Sequence, residues 1–123
     1  ELRYFLGVEV ARSGNGMFLS QRKYVLDLLY ETNMINAEPF NLLMESHLKL
    51  APDGSCLFEP DQYRRLIDKL IYLTITRPEL CYTVQVLSQF MQRPTIAHMQ
   101  AALDVLRYLK KAPGQGILMA RDS

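Results

Sequence analysis

Hydrophobic and polar positions alternate in the first part of the chain, as they do in a half-buried strand. Residues 2–11 are rich in aromatic and β-branched side chains, and from Leu6 onward apolar side chains recur at every second position. The sequence Ser-Gly-Asn-Gly at 13–16 contains residues that tolerate a positive φ, so it predicts a tight reversal. Residues 17–20 then return as a second strand. The pattern therefore predicts a β-hairpin.

The sequence that follows the hairpin has helical periodicity. Ser20 stands where a helix N-cap is expected, and Asn33 is suited to end the helix. Residues 21–32 are therefore predicted to be helical. Their apolar stripe consists of Tyr24, Val25, Leu28 and Leu29.

Periodicity is lost over residues 36–60, where prolines and an Asp-Gly-Ser run predict a loop or linker. A loop of this length is uncommon inside one compact domain, so we expect it to separate two lobes. The predicted segments are a hairpin and helix at 1–35, the linker at 36–60, a helical lobe at 61–112 and the start of a further segment at 113–123.

Helical periodicity returns in the second lobe and is interrupted twice. Pro60 suits the first turn of one helix, Pro78 breaks that helix and suits the start of the next, and Thr95 is a candidate N-cap for a third. The apolar stripes are Tyr63, Leu66, Ile67, Leu70, Ile71 and Thr74, then Leu80, Val84, Leu87 and Met91, then Ile96, Met99, Leu103, Leu106 and Leu109.

Residues 117–119 predict the opening of a strand whose partners lie outside this chain. The predicted fold is therefore α+β, with an N-terminal β-hairpin and helix, a long loop and a three-helix lobe. The chain begins directly in a strand, so we expect the natural domain to extend upstream of Glu1.

Composition adds few constraints. The 123 residues carry 14 Lys and Arg against 13 Asp and Glu, so net charge alone indicates no polyanionic partner. Cys56 and Cys81 lack zinc-site spacing and favour a reduced, intracellular chain, with Cys81 as a small core residue. No signal peptide, membrane-spanning run or small-molecule motif is evident, and the cellular location is otherwise unknown.

The sequence contains no self-sufficient catalytic constellation. Glu9 is the one acid within a predicted strand, and we expect it to be an exposed strand-face residue. His47 and His98 lack the Cys, Asp or Ser partners that a metal site or a catalytic triad requires. No catalytic residue, metal ligand or cofactor is therefore assigned.

Basic side chains lie on the polar faces of the predicted helices. If these faces converge, the cations could hold nucleic-acid phosphates without reading bases. The alternative is a solvated face with local ion pairs such as Arg64 with Asp68, and the spacing leaves both readings open. The candidate phosphate contacts are Arg22, Lys23, Arg64, Arg65, Lys69, Arg77, Arg107, Lys110 and Lys111.

Three long motifs, in order, resemble the Pol polyprotein of copia-type retrotransposons. They are YFLGVEVARSGNGMFLSQRKYVLDLL at 4–29, YRRLIDKLIYLTITRPELCYTVQVLSQFM at 63–91 and AALDVLRYLKKAPGQGI at 101–117. The resemblance covers nearly the whole chain. It points to the C-terminal part of the reverse transcriptase, leading toward ribonuclease H.

The resemblance implies that Leu6, Gly7 and Glu9 correspond to the primer grip. The helices from Tyr63 onward would be the thumb and connection, which hold an RNA/DNA primer–template duplex. The family's Tyr-Val-Asp-Asp motif, which works with Mg²⁺, would lie upstream of Glu1, and the ribonuclease H acids would lie beyond the last residue. The chain alone is then expected to be inactive.

Some positions depart from the family pattern. Asp68 stands where Gly is usual, and Asp104 stands where Arg is usual. These departures motivate an alternative hypothesis: a degenerate retroelement-derived helical module that has no enzymatic activity and offers a protein-interaction surface.

Overall fold

A computed structural model describes residues 2–40, 43 and 59–120, and it consists of an antiparallel sheet beside a helical body. The predicted α+β class is confirmed. Within the described residues the strands are β1 Leu2–Phe5, β2 Val8–Ser13, β3 Gly16–Ser20 and β4 Gly116–Ala120. The helices are α1 Arg22–Glu31, α2 Pro60–Leu73, α3 Cys81–Ser88 and α4 Ile96–Lys110, with a 3₁₀ turn at Pro78–Leu80.

The first predicted strand is in fact two strands. Residues 2–11 turn back at Leu6 and Gly7, whose φ angles are 55° and 83°. Positive φ at both central residues is the geometry of the two-residue hairpin turns that match the twist of a sheet. The alternating pattern hid this turn because Leu6 lacks the usual turn chemistry.

The prediction that the C-terminal strand finds its partners outside the chain is wrong. β4 pairs antiparallel with β3, with Gly116 opposite Ser20 and Ile117 opposite Leu19. The strand order is β1-β2-β3-β4. After α4 the chain reverses and brings β4 to the free edge of β3, a long-range pairing that local periodicity cannot show.

The first helix is confirmed to within one residue at each end, but its cap differs from the prediction. Gln21 is the N-cap, whereas Ser20 is buried as the last residue of β3. Asn33 ends the helix as predicted, with φ at 61°. The N–H of Met34 donates to the Leu29 carbonyl oxygen at 2.8 Å, which completes a Schellman motif.

The hydrophobic core lies between the four helices, and α1 shares it with α2, α3 and α4. Ile71 and Ile96 were predicted to be core residues, but they are 45% and 57% exposed. Ile71 lies at the edge of the α2 stripe. The buried face of α4 instead passes through His98, the small residues Ala101 and Ala102, and Val105. The core consists of Val25, Leu28, Leu29, Tyr63, Leu66, Ile67, Leu70, Leu73, Leu80, Val84, Leu87, Ala101, Ala102, Val105, Leu106 and Leu109.

The prediction that Cys81 is a core residue is also wrong. Cys81 is exposed at the first position of α3, because Thr83, Val84 and Leu87 form the buried face of that helix. Cys56, His47 and most of the predicted linker at 36–60 lie outside the described residues. The segment boundaries stay a prediction.

Candidate functional site

The turn between β1 and β2 lies against the second half of α2. Leu6 forms its tip and is 78% exposed, although a left-handed conformation is unfavourable for a bulky residue. Gly7 faces the ring of Tyr72, and a Cβ added to it would lie 3.1 Å from the Tyr72 hydroxyl oxygen. Both its positive φ and this close approach therefore favour glycine.

The same turn is tied to the start of α1 by an acidic side chain. Glu9 is half-buried rather than exposed, and one carboxylate oxygen accepts the backbone N–H of Lys23 at 3.2 Å. A carboxylate at a helix N-terminus is stabilised by the unpaired N–H groups and the helix dipole. We call Leu6, Gly7, Glu9, Lys23 and Tyr72 the hairpin junction.

The side chain of Lys23, in the hairpin junction, is exposed to solvent. Its ammonium group lies 2.9 Å from the Asp27 carboxylate, and both side chains are well exposed. The hydrogen bond and charge of Asp27 raise the pKa of Lys23, so Lys23 remains a cation at neutral pH. The structure thus brings together four of the predicted site residues: Leu6, Gly7, Glu9 and Lys23.

Two further cations lie on the sheet and were missed from the sequence. Arg3 pairs with Val10 across β1 and β2, and Arg12 is two residues from Val10 on β2. Directly paired residues and alternate residues share one face of a sheet, so Arg3 and Arg12 share a face, and both are exposed. The alternation of side chains along the strands shows that Arg3 and Arg12 share a face only once the turn at Leu6 is recognised.

Arg64 connects helices rather than offering a free charge. Its guanidinium donates to the Met91 carbonyl oxygen at 2.7 Å and to that of Gln92 at 3.1 Å. Its ion-pair partner is Asp61 at 2.9 Å, so the predicted pair with Asp68 is wrong. Asp68 is exposed, and water can therefore solvate the charge that replaces the usual glycine.

Arg77 is the most buried of the predicted phosphate contacts, with 2% of its surface exposed. It donates to Glu79 at 3.0 Å and to the Ala112 carbonyl oxygen at 2.9 Å, and it lies 5.8 Å from the centre of the Tyr108 ring. Tyr108 also donates to Glu79 at 3.1 Å. Burial, reinforced by the Glu79 charge, raises the pKa of Tyr108. Arg77 therefore connects the hinge between α2 and α3, at Pro78, to the end of α4.

The cations near the end of α4 hold the chain that follows α1. Lys110 donates to the Ala37 carbonyl oxygen at 2.6 Å, and Arg107 donates to that of Glu38 at 2.8 Å. The Arg107 guanidinium also lies 3.7 Å from the centre of the Phe40 ring, a cation–π distance. Like Arg64 and Arg77, these two side chains bind backbone carbonyl groups of the same chain.

The remaining predicted cations are closer to solvent. Lys69 pairs with Glu31 at 2.6 Å across α2 and α1, and Arg65 is exposed one helical turn away. Arg22 packs beside Gly114, and Lys111 is exposed. Of the nine predicted cations, four thus donate to backbone carbonyl groups within the protein, and Lys23 and Lys69 pair with acidic side chains.

His98 is buried and has a structural part in α4. Its Nδ1 accepts the N–H of Thr95 at 2.9 Å, and its ring stacks on Phe90 with centroids 3.9 Å apart. Within residues 2–40, 43 and 59–120, no cluster of three or more His, Cys, Asp or Glu side chains is placed to hold a metal ion. No helix in the same ranges has the length and apolarity to cross a bilayer.

Sequence comparison identifies relatives that match nearly the whole chain. The chain is 47% identical over 122 residues to the retrovirus-related Pol polyprotein from transposon RE1 of Arabidopsis thaliana, a match covering 98% of this chain and 8% of that protein. The corresponding polyprotein from transposon RE2 is 45% identical, with the same coverage. The predicted resemblance to copia-type Pol polyproteins is confirmed.

Another relative is a shorter protein that is not named as a transposon polyprotein. An uncharacterised mitochondrial protein of Arabidopsis thaliana is 31% identical over 122 residues, which is 99% of this chain and 51% of that protein. The chain therefore spans less than a tenth of the transposon polyproteins and about half of the mitochondrial protein. No family model and no solved structure matches the chain.

Proposed function

The chain shares its ancestry with a segment of copia-type retrotransposon Pol polyproteins, and we propose that it is a non-catalytic part of a reverse transcriptase that holds the primer–template duplex. It is retroelement-derived, as its relatives show. The proposal concerns a role in binding, and it assigns no catalytic residue to this chain.

The observation that carries the proposal is the Leu6–Gly7 turn. A bulky residue held in a left-handed conformation costs free energy, and such strain is concentrated at functional sites. Leu6 remains 78% exposed despite this cost, so burial of its side chain does not explain the conformation. An exposed apolar tip can contact the sugar edge of a nucleic-acid strand, while backbone N–H groups near it can donate to phosphate oxygens.

The cations at the hairpin junction and on the sheet suit a polyanionic ligand. Lys23 at the hairpin junction is an exposed cation that pairs with Asp27 at 2.9 Å, and Arg12 is an exposed cation at the far end of β2. Glu9 does not oppose them strongly, because its carboxylate is engaged by the start of α1. Contacts of this kind position a duplex without reading its bases.

The test is fluorescence anisotropy of the whole chain with a short labelled RNA–DNA hybrid, from about 50 to about 200 mM salt. We expect binding at low salt that weakens steeply as salt rises, because phosphate contacts release counterions. Arg12→Gln and Lys23→Gln should each reduce the slope of log affinity against log salt by about 1. The absence of binding at low salt by a folded chain would overturn the proposal.

Two further variants separate the turn from general charge effects. Leu6→Asn introduces a residue that tolerates the left-handed conformation, and it removes the apolar tip. It should therefore weaken binding without changing the slope of log affinity against log salt. Arg93→Gln removes an exposed cation from the connection between α3 and α4 and is the matched control. Equal losses for Arg12→Gln and Arg93→Gln would refute a specific role for the sheet cations.

A specific observation favours the alternative of a degenerate module without a nucleic-acid role. Arg64, Arg77, Arg107 and Lys110 donate to backbone carbonyl groups of the chain, so these four cations are engaged within the protein. A module of this kind would fold normally and show no salt-dependent affinity for the hybrid. The same titration therefore discriminates the two functions.

A further inference from the structure

A cavity of about 380 Å³ lies between the end of α1, the first half of α2 and α4. None of the five hairpin-junction residues lines it, so it is a separate feature from the proposed duplex contact. Its volume is within the range of small-molecule sites, which combine an apolar floor with a few polar groups.

The floor of the cavity is apolar and comes from three helices. Leu28 of α1 and Leu66 of α2 are buried, whereas Met99 and Leu103 of α4 are half-buried and pack against the core. The unbranched thioether of Met99 can adjust to an incoming group more easily than a branched side chain can. The floor therefore favours an apolar ligand body without a strict shape.

The rim of the cavity carries charge. Glu31 and Lys69 both line the cavity and pair at 2.6 Å, and this contact largely neutralises both groups. Arg65 is exposed on the same helix as Lys69, one turn earlier, and lines the same cavity. Among the residues that the structure describes, the lining has two cations and one anion, a net charge of +1. The planar guanidinium suits a carboxylate in a bidentate arrangement.

We propose that this cavity binds a small amphipathic carboxylate, with its apolar body on Leu28, Leu66 and Met99 and its carboxylate on Arg65. The site requires no catalytic chemistry and does not depend on the proposed duplex role. The charge of the lining selects the sign of the ligand's head group, and the apolar floor supplies most of the affinity.

The experiment uses the whole chain labelled with ¹³C at the methionine methyl groups and titrated with 4-phenylbutyrate. We expect the Met99 methyl resonance to shift in a saturable manner, while those of Met17 and Met119 on the sheet stay in place. The cationic analogue 3-phenylpropan-1-amine has the same apolar body, a phenyl ring and three methylene groups. It should bind about 3- to 5-fold more weakly, as expected for an exposed ion pair.

Variants at exposed rim positions test the charges. Arg65→Gln should abolish the preference for the carboxylate, whereas Arg93→Gln, which lies outside the cavity lining, should retain it. Glu31→Gln removes an anion from the lining and releases Lys69, so it should tighten 4-phenylbutyrate binding about 3- to 5-fold. This gain of affinity cannot result from partial unfolding.

Three outcomes would overturn the proposal. The first is a Met99 resonance that does not move, or that moves without saturation. The second is equal affinity for the acid and the amine, which would indicate non-specific apolar contact. The third is a Glu31→Gln variant whose affinity is unchanged, since the carboxylate would then not lie at this rim.

Discussion

The Tyr63 hydroxyl donates to the Leu87 carbonyl oxygen at 2.5 Å and so links α2 to α3 inside the core. Tyr63 is fully buried, and its ring also contributes to the core. The bond spans the helix hinge at Pro78, so it helps to fix the angle between the two helices that the proline separates.

Tyr63→Phe should lower the free energy of unfolding at neutral pH by about 1 kcal/mol. The loss is moderate because the Leu87 carbonyl oxygen also accepts the N–H of Phe90 at 3.2 Å and is not left without a donor. Urea denaturation followed by circular dichroism measures the difference. A change above about 3 kcal/mol would mean that the hydroxyl does more than this bond.

The same residue predicts a loss of stability in alkali. Burial raises the pKa of Tyr63 well above its ordinary value, because the phenolate is poorly solvated inside the core. The folded state therefore holds the proton more tightly than the unfolded chain does. Its contribution to stability is complete below about pH 10 and is lost progressively above it, by up to about 1.4 kcal/mol per pH unit.

Tyr63→Phe should make this alkaline decline less steep. Burial also raises the pKa values of Tyr24 and Tyr108, so these two residues should preserve part of the decline in the variant. Denaturation midpoints from pH 8 to pH 11 provide the measurement, with an expected difference near the ordinary tyrosine pKa of about 10. Identical pH profiles for the two proteins would contradict burial of the hydroxyl.

Gly116→Ala should separate β4 from β3. A Cβ at this position would lie 1.9 Å from the Leu19 carbonyl oxygen, and both the clash and the paired strand involve backbone that cannot rotate away. We expect a loss of about 1 to 3 kcal/mol, the usual range for forced overpacking. Amide exchange of Ile117 and Leu118 should accelerate more than that of the helical core.

The matched control is Gly14→Ala, in the turn between β2 and β3. Nothing lies within 4 Å of a Cβ added there, so we expect a change within about 0.5 kcal/mol. If Gly116→Ala and Gly14→Ala proved equally stable, the close pairing of β3 and β4 would be refuted.

The sequence predicted features that depend on local periodicity, and it failed where distant chain segments decide. The α1 stripe and the Asn33 stop could be read directly, because helix ends follow local hydrogen-bonding rules. The pairing of β4 with β3 depends on segments about a hundred positions apart. The turn at Leu6 was hidden because an apolar residue occupies a conformation that usually selects glycine or asparagine.

The candidate site shows the same division. The resemblance identified Leu6, Gly7 and Glu9, which the structure gathers with Lys23 at the hairpin junction. The resemblance could not show that Arg77 is buried. The sequence around a basic residue next to a proline is the same whether its side chain contacts solvent, a phosphate or a carbonyl group. Burial depends on Tyr108 and Ala112, which are distant in sequence.

Arg77→Met should destabilise the fold by about 1.5 to 3 kcal/mol, because it removes hydrogen bonds made by a buried charged group. Glu79 would keep the Tyr108 hydroxyl as a donor and the Ala112 carbonyl oxygen would keep the N–H of Gln115, so each loses only its contact with Arg77. Arg77→Lys should recover only part of the loss, since an ammonium group cannot make both contacts with the same geometry. Thermal and urea denaturation measure these effects.

Arg93→Gln is again the control for Arg77, because it removes an exposed arginine and should change stability by less than about 0.5 kcal/mol. If Arg77→Met were as stable as this control while losing affinity for an RNA–DNA hybrid, Arg77 would be a phosphate contact rather than a structural residue.

The start of α4 is capped by two reciprocal hydrogen bonds between Thr95 and His98. The histidine occupies the position that Glu or Gln usually has in a capping box. The Thr95 hydroxyl oxygen accepts the His98 N–H at 3.2 Å, and His98 Nδ1 accepts the Thr95 N–H at 2.9 Å. Thr95→Ala should cost about 1 kcal/mol, whereas Thr95→Ser should retain most of the stability. His98→Gln can keep the reciprocal bond but loses the stack on Phe90, so it should cost more than Thr95→Ala.

A double-mutant cycle between Thr95→Ala and His98→Ala should give a coupling energy of at least about 0.5 kcal/mol, and additive losses would show that the two bonds form independently.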